Sequence, residues 1–136
     1  MNDAQKNIIR NISPVKQDGK KILIVEDDKP MAHAMEIKFG KSGFLATITH
    51  NGQEALDLLE KETFDLILLD LVMPIMDGFK VLAALKEKNN TIPVVVTSNL
   101  NQDEDIIRAK SLGAKDFIVK SNTPLTEIIR LIKNYP

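Results

Sequence analysis

Five short aliphatic runs, each followed by a stretch with helical character, constrain this chain more than any other feature. The runs are KILIVE (21–26), FLATIT (44–49), FDLILLD (64–70), IPVVVTS (92–98) and DFIVK (116–120). Short, mainly apolar and bounded by turn formers, they read as strands buried on both faces. After the first run, DDKPMAHAMEIKFGKSG carries a proline near a helix start, Met31, Met35 and Phe39 at helical spacing, and Gly43 as a stop. NGQEALDLLEKE places Asn51 and Glu54 at capping-box spacing, with Ala55, Leu58 and Leu59 on one face. GFKVLAALKEK (78–88) reads as a third helix. NQDEDIIRAKSLGA repeats the cap spacing at Asn101 and Glu104 and ends at Gly113, and TPLTEIIRLIKNY (123–135) puts Pro124 at the first helical position. Strand and helix alternating five times demand right-handed crossovers, hence an α/β fold with a doubly wound parallel sheet. In such a sheet the functional crevice opens beyond the carboxyl ends of the strands, at the switch point.

The polar residues 1–19, with Pro14 and Gly19, read as a flexible extension containing at most a short turn around Ile8, Ile9 and Ile12. Residues 20–136 then form one domain, as a chain of 136 residues allows. The absence of cysteine excludes disulfides, thiolate metal sites and cysteine nucleophiles. A net charge of −1 gives no global attraction to nucleic acid or to an anionic membrane, and 4% aromatic residues supply few stacking platforms. No apolar run reaches the roughly 20 residues of a membrane span, and the first twenty residues lack the apolar core of a secretory signal. A cytoplasmic location is the resulting expectation.

The strand ends gather chemistry from distant parts of the chain. Glu26, Asp27 and Asp28 follow the first run, Asp70 the third, Thr97 and Ser98 the fourth and Lys120 the fifth. Crowded carboxylates raise one another's pKa unless a cation is present, and hard oxygen ligands favour Mg²⁺ or a similar ion. Lys120 suits a carboxylate or an incoming anion, and the Thr97 and Ser98 hydroxyls suit a phosphoryl oxygen. Metal, lysine, hydroxyl and an in-line nucleophile are the parts of phosphoryl transfer. Asp70, alone at the end of the central strand, fits the nucleophile through an acyl phosphate, and Asp27 with Glu26 fits the metal.

These residues resemble the receiver domains of two-component response regulators over about residues 20–135. The likeness rests on ILIVEDD, LLDLVMPIMDG around Asp70, VVVTS with Thr97, and DFIVK with Lys120, in this order and at these spacings. The resemblance implies a flavodoxin-like (βα)5 fold with strand order 2-1-3-4-5. It implies that Asp70 accepts a phosphoryl group from the phosphohistidine of a histidine kinase or histidine phosphotransfer protein. Asp27 would bind Mg²⁺ (or Mn²⁺) directly, Glu26 through water, and Val72 through its backbone carbonyl. Thr97 would act as the switch hydroxyl, Lys120 as the salt bridge to the phosphoryl group and Phe117 as the rotating aromatic. Pro74 and Gly78 would shape the loop after the acceptor. Output would pass through the surface of the fourth helix, fifth strand and fifth helix, from a monomer or a phosphorylation-dependent homodimer, with no direct nucleic-acid binding and no membrane.

One departure is visible. Receivers usually follow the lysine with proline, often in a cis peptide, whereas Ser121 follows Lys120 here. A cis bond before a residue other than proline costs about 2.5–4 kcal/mol, so a trans link or a displaced loop is expected. Ser98, being small, should leave the acceptor accessible and could contact phosphate. Asp28 reads as a helix cap, and His33 and His50 as solvated or partner-facing. Two other classes compete with a stand-alone signalling switch. An aspartate phosphatase of the haloacid dehalogenase type would need an acid two residues after Asp70, where Val72 stands. A phosphorylation-independent interaction module would leave the acidic pocket idle.

Overall fold

A computed structural model describes residues 19–135; nearly all of the expected extension, with its turn around Ile8, Ile9 and Ile12, lies outside the described residues. The elements run β1 (Lys21–Val25), α1 (Lys29–Lys41), β2 (Leu45–Thr49), α2 (Gly52–Leu59), β3 (Leu66–Asp70), α3 (Gly78–Glu87), β4 (Val94–Ser98), α4 (Asp103–Ser111), β5 (Asp116–Val119) and α5 (Leu125–Lys133). The strands form one parallel sheet in the order β2-β1-β3-β4-β5, the flavodoxin-like order expected.

Side-chain alternation divides the sheet into two apolar layers. Leu23, Val25, Ile67, Leu69, Val94 and Val96 pack with Ala55 and Leu56 of α2, four apolar residues of α3 and Ala109 of α4. Ile22, Ile24, Leu66, Leu68, Val95 and Ile118 pack instead with Met35 and Phe39 of α1 and with Ile128, Ile129 and Ile132 of α5. Because both faces are covered, β3 buries all five residues, LILLD, and its aliphatic run needs no polar alternation. Each fully buried leucine contributes about 1.5–3 kcal/mol, which pins β3 and the residue at its end.

Strands β2, β3 and β4 begin later than their aliphatic runs. Pro93 has no N–H for the ladder, so β4 starts after it, although its carbonyl accepts from Ile67 N–H at 3.0 Å. Asp65 lies before β3 and its carboxylate accepts from Lys21 N–H at 2.7 Å. Helix starts are set largely by side-chain caps. Asp28 accepts from Met31 N–H at 3.1 Å, Asp77 from Lys80 N–H at 3.0 Å, and Asn51 from Glu54 N–H at 2.9 Å. Asn51 also donates to the Glu54 carboxylate at 2.8 Å.

Three expectations need correction. Helix α4 is not capped by Asn101; Gln102 occupies that position without a side-chain hydrogen bond, and Asp103, Glu104 and Asp105 in the first turn complement the positive end of the helix dipole instead. Pro124 stands at the N-cap of α5 rather than inside it, with ψ 153°, where its missing N–H is not needed. On α1 the buried residues are Ala32, Met35 and Phe39, whereas Met31 is exposed because the stripe turns away at the first turn.

Candidate functional site

The chain leaves β1 toward β2 on one side and crosses to β3 on the other, so the crevice between the carboxyl ends of β1 and β3 is the switch point. Val25 pairs with Leu69, which sets Glu26 and Asp70 side by side at the mouth of that crevice. Asp70 in turn pairs with Thr97 of β4, and Val119 pairs with Ser98, so Lys120 emerges one step further on. Register alone therefore gathers five of the residues marked in the sequence, Glu26, Asp70, Thr97, Ser98 and Lys120.

Carboxylate oxygens of Glu26, Asp27 and Asp70 lie within 4.8 Å of one another. Glu26 is 1% exposed and Asp70 6%. The Lys120 ammonium is hydrogen-bonded to Glu26 Oε1 and lies 3.4 Å from Asp70 Oδ2. Glu26 Oε2 accepts from Asp28 N–H at 3.3 Å, and Asp70 Oδ1 accepts from Val72 N–H at 3.4 Å. Thus Lys120 is the partner of two carboxylates, which narrows the broader role read from the sequence. It sits on a 3-10 turn, Lys120–Asn122, rather than on β5, and the described chain contains no cis peptide, so Lys120–Ser121 is trans.

Burial lifts the Asp70 carboxyl from 3.8 to about 7, with Glu26 adding to the rise and the Lys120 charge and the Val72 N–H opposing it. For Lys120, burial acts downward, but its bond to Glu26 and the charge of Asp70 outweigh it and raise the ammonium above its usual 10.5. Three carboxylates thus face one ammonium in a partly dry crevice. A hard divalent cation fits this set: every side-chain donor is a carboxylate oxygen, the oxygens are close enough to share one ion, and a single lysine leaves negative charge in excess.

The other marked residues are distributed around this centre. Thr97 is buried beside Asp70. Ser98 is fully buried, and its hydroxyl accepts from Leu100 N–H at 3.2 Å, shaping the loop after β4. Phe117 is half-buried and packs on the layer that contains Val96 and Phe79. Val72 is 57% exposed at the rim. His33 and His50 line a small depression with Lys29 and Glu36, outside the carboxylate cluster.

Three contributors were not assigned their part from the sequence. His50 Nδ1 lies 3.1 Å from the Glu26 carbonyl oxygen, tying the end of β2 to the acidic turn. Its place at the end of the strand next to β1 was the available signal. Gly78 packs so closely that a Cβ there would lie 2.5 Å from the Asp70 carbonyl oxygen and 2.7 Å from Leu71 Cα. Its N–H donates to Leu71 at 2.8 Å, closing the loop 71–77 against the strand end. Gly52 receives the same loop from the other side: a Cβ there would lie 2.9 Å from the Met76 carbonyl oxygen.

Comparison with known proteins identifies the family of the chain. The response regulator receiver domain profile matches residues 22–133. The uncharacterized transcriptional regulatory protein YclJ of Bacillus subtilis (strain 168) is 32% identical over 111 residues, covering 82% of this chain and 48% of YclJ. PcoR of Escherichia coli, also a transcriptional regulatory protein, is 29% identical, with 84% and 50% covered. This chain therefore spans about half the length of these regulators. An uncharacterized 14.6 kDa protein of Leptolyngbya boryana is 34% identical, with 84% of this chain and 88% of that protein covered. Among solved structures, the receiver domain of Francisella response regulator 1452 superposes with a TM-score of 0.79 at 31% identity, over 85% of this chain and 94% of its own.

Proposed function

Since the chain belongs to the response regulator receiver domain family, we propose that it is a phosphorylatable switch whose acceptor is Asp70, loaded by a phosphohistidine on a histidine kinase or histidine phosphotransfer protein. The observation that carries this reading is the convergence of Glu26, Asp27 and Asp70 on one small volume with Lys120 bridging two of them. Mg²⁺ or Mn²⁺ fits the carboxylates, with Asp27, Asp70 and the Val72 carbonyl as direct ligands. Both Glu26 oxygens are already engaged, by Lys120 and by the Asp28 N–H, which favours a water between Glu26 and the ion. When bound, the ion neutralises charge on the transferring group and keeps the Asp70 carboxylate ionised.

In the transfer, an Asp70 carboxylate oxygen forms a bond to phosphorus while the donor's phosphorus–nitrogen bond breaks and the imidazole keeps the electron pair. The Lys120 ammonium, already 3.4 Å from Asp70 Oδ2, supplies a cation for the phosphoryl oxygens. Thr97, paired with Asp70 and buried, offers its hydroxyl to the same group, and Ser98 stands beside it. Withdrawal of Thr97 toward the phosphoryl group frees space that Phe117 takes up, coupling the crevice to α4, β5 and α5. The pocket is assembled for chemistry, which argues against the phosphorylation-independent module. At Val72 there is no acid or base for a turnover phosphatase. A role through a downstream protein, as monomer or homodimer, follows from this reading.

Incubation with radiolabelled acetyl phosphate tests it. Label should enter the unaltered chain with Mg²⁺ and be lost with EDTA or in Asp70→Asn. Label retained in Asp70→Asn refutes the acceptor assignment.

A further inference from the structure

The loop between Asp70 and α3 holds one residue that is wrong for its place by local physics. Ile75 has φ +70°, in the left-handed region, and Met76 N–H donates to the Pro74 carbonyl at 2.7 Å across it. That is a γ-turn of the rarer, strained hand. A β-branched residue is sterically strained there, whereas glycine adopts that region without a Cβ clash. Asn89, at φ +57°, shows the ordinary solution elsewhere in the same chain, a short polar residue. Ile75 is moreover 80% exposed, the most exposed large apolar side chain among the described residues.

The backbone of this turn is dictated from outside it. Gly78 is seated against the Asp70 carbonyl, Asp77 caps α3, and Met76 packs on Gly52. The fold therefore fixes the conformation, while nothing in the fold uses the isoleucine side chain. A residue that breaks two local rules with no internal gain points to an external contact.

We propose that Ile75, on the same loop as exposed Val72, is the apolar anchor by which a phosphohistidine-bearing protein seats over Asp70. This rests on Asp70 being the acceptor. The occupant is argued from continuity with the crevice. Asp70 lies at its floor, 6% exposed, and its carboxylate is hydrogen-bonded to Val72 N–H. A protein donor must bring its imidazole to Asp70, so it covers the rim carried by Val72 and the turn beyond it. A small donor such as acetyl phosphate enters the crevice without covering that rim. The exposed aliphatic surface then distinguishes the two donor classes: it adds desolvated area for a protein and nothing for a small molecule.

The test compares Ile75→Gly, Ile75→Ser and Ile75→Leu with the unaltered chain. Two radiolabelled donors are used: acetyl phosphate, and an autophosphorylated histidine-kinase core that labels the unaltered chain. Ile75→Gly removes the strain, so its melting temperature should equal or exceed that of the unaltered chain, which separates a contact from a folding defect. Labelling by acetyl phosphate should stay within about twofold in all three variants. Transfer from the kinase core should fall about tenfold in Ile75→Gly and Ile75→Ser, with Ile75→Leu close to the unaltered chain. Unchanged kinase transfer in Ile75→Gly overturns the anchor and leaves Asp70 as acceptor. An equal loss with both donors also overturns it, since the side chain would then act on the crevice. If Ile75→Gly abolishes self-association and spares kinase transfer, the patch meets a second copy of the chain and the proposal fails. Failure of acetyl phosphate to label the unaltered chain refutes the acceptor reading itself.

Discussion

The carboxyl of Asp70 should make the metal-free protein less stable as pH rises. In the folded chain burial holds it at about 7, against 3.8 for an unhindered aspartate. Between these values the folded state binds a proton that the unfolded state has released, so unfolding sheds it and stability falls with increasing pH. The loss begins near pH 4 and is complete above about pH 7. At about 1.4 kcal/mol for each unit of displacement, the upper bound is about 4 kcal/mol. Water at the open side of the crevice reduces this to about 2 kcal/mol. Asp70→Asn keeps the shape and removes the titration. Urea unfolding in EDTA, at intervals from pH 4 to 8, should give a falling midpoint for the unaltered chain and a flatter profile for Asp70→Asn, which should be the more stable protein at pH 8. Millimolar Mg²⁺ should restore the unaltered chain at pH 8 and leave Asp70→Asn nearly unmoved. Equal slopes for the two proteins would remove Asp70 as the source. So would a profile that rises toward pH 7.

Further outcomes follow from the same geometry. Lys120→Met leaves Glu26 buried without its cation, and should lower stability by about 3 kcal/mol in EDTA by urea unfolding, with Mg²⁺ recovering part of the loss. Gly78→Ala forces a Cβ against backbone that cannot yield; a loss of about 1–3 kcal/mol and slowed labelling by acetyl phosphate should appear together. Leu68→Ala, in the middle of β3, should cost about 2–5 kcal/mol by calorimetry or denaturant, with Mg²⁺ affinity preserved in the folded fraction. Asn51→Ala removes both side-chain bonds to Glu54 at the start of α2, and should cost about 1 kcal/mol by urea unfolding.

What the sequence revealed, and what it hid, divides along a physical line. Runs such as LILLD are legible because a strand covered on both faces has no choice but to be aliphatic, and an aspartate closing such a run has to be explained. The caps at Asp28 and Asn51 are legible because one side chain and one N–H decide them. The N-terminus of α4 is not, because Asn101 competes there with three consecutive acidic residues that serve the helix dipole. Lys120 was recognisable as a charge that must meet an anion, but its bond to Glu26 depends on the register between β1, β3, β4 and β5. His50 reads from the sequence as solvated or partner-facing for a similar reason: its partner is a backbone carbonyl at the end of the neighbouring strand, which leaves no trace in the spacing of side chains. Gly78 was legible as a loop former but not as a residue packed on the acceptor's own carbonyl, since close approach is a property of two segments together.

The central claim is that an acyl phosphate forms at residue 70. Borohydride reduces such a bond to the alcohol, converting the loaded aspartate to homoserine and marking the position permanently. After exposure to acetyl phosphate and Mg²⁺, borohydride treatment and peptide sequencing by mass spectrometry should place homoserine at position 70, with no side-chain alcohol formed at Glu26, Asp27 or Asp28. Reduction at one of those residues, or a stable phosphate that borohydride does not remove, would contradict the account.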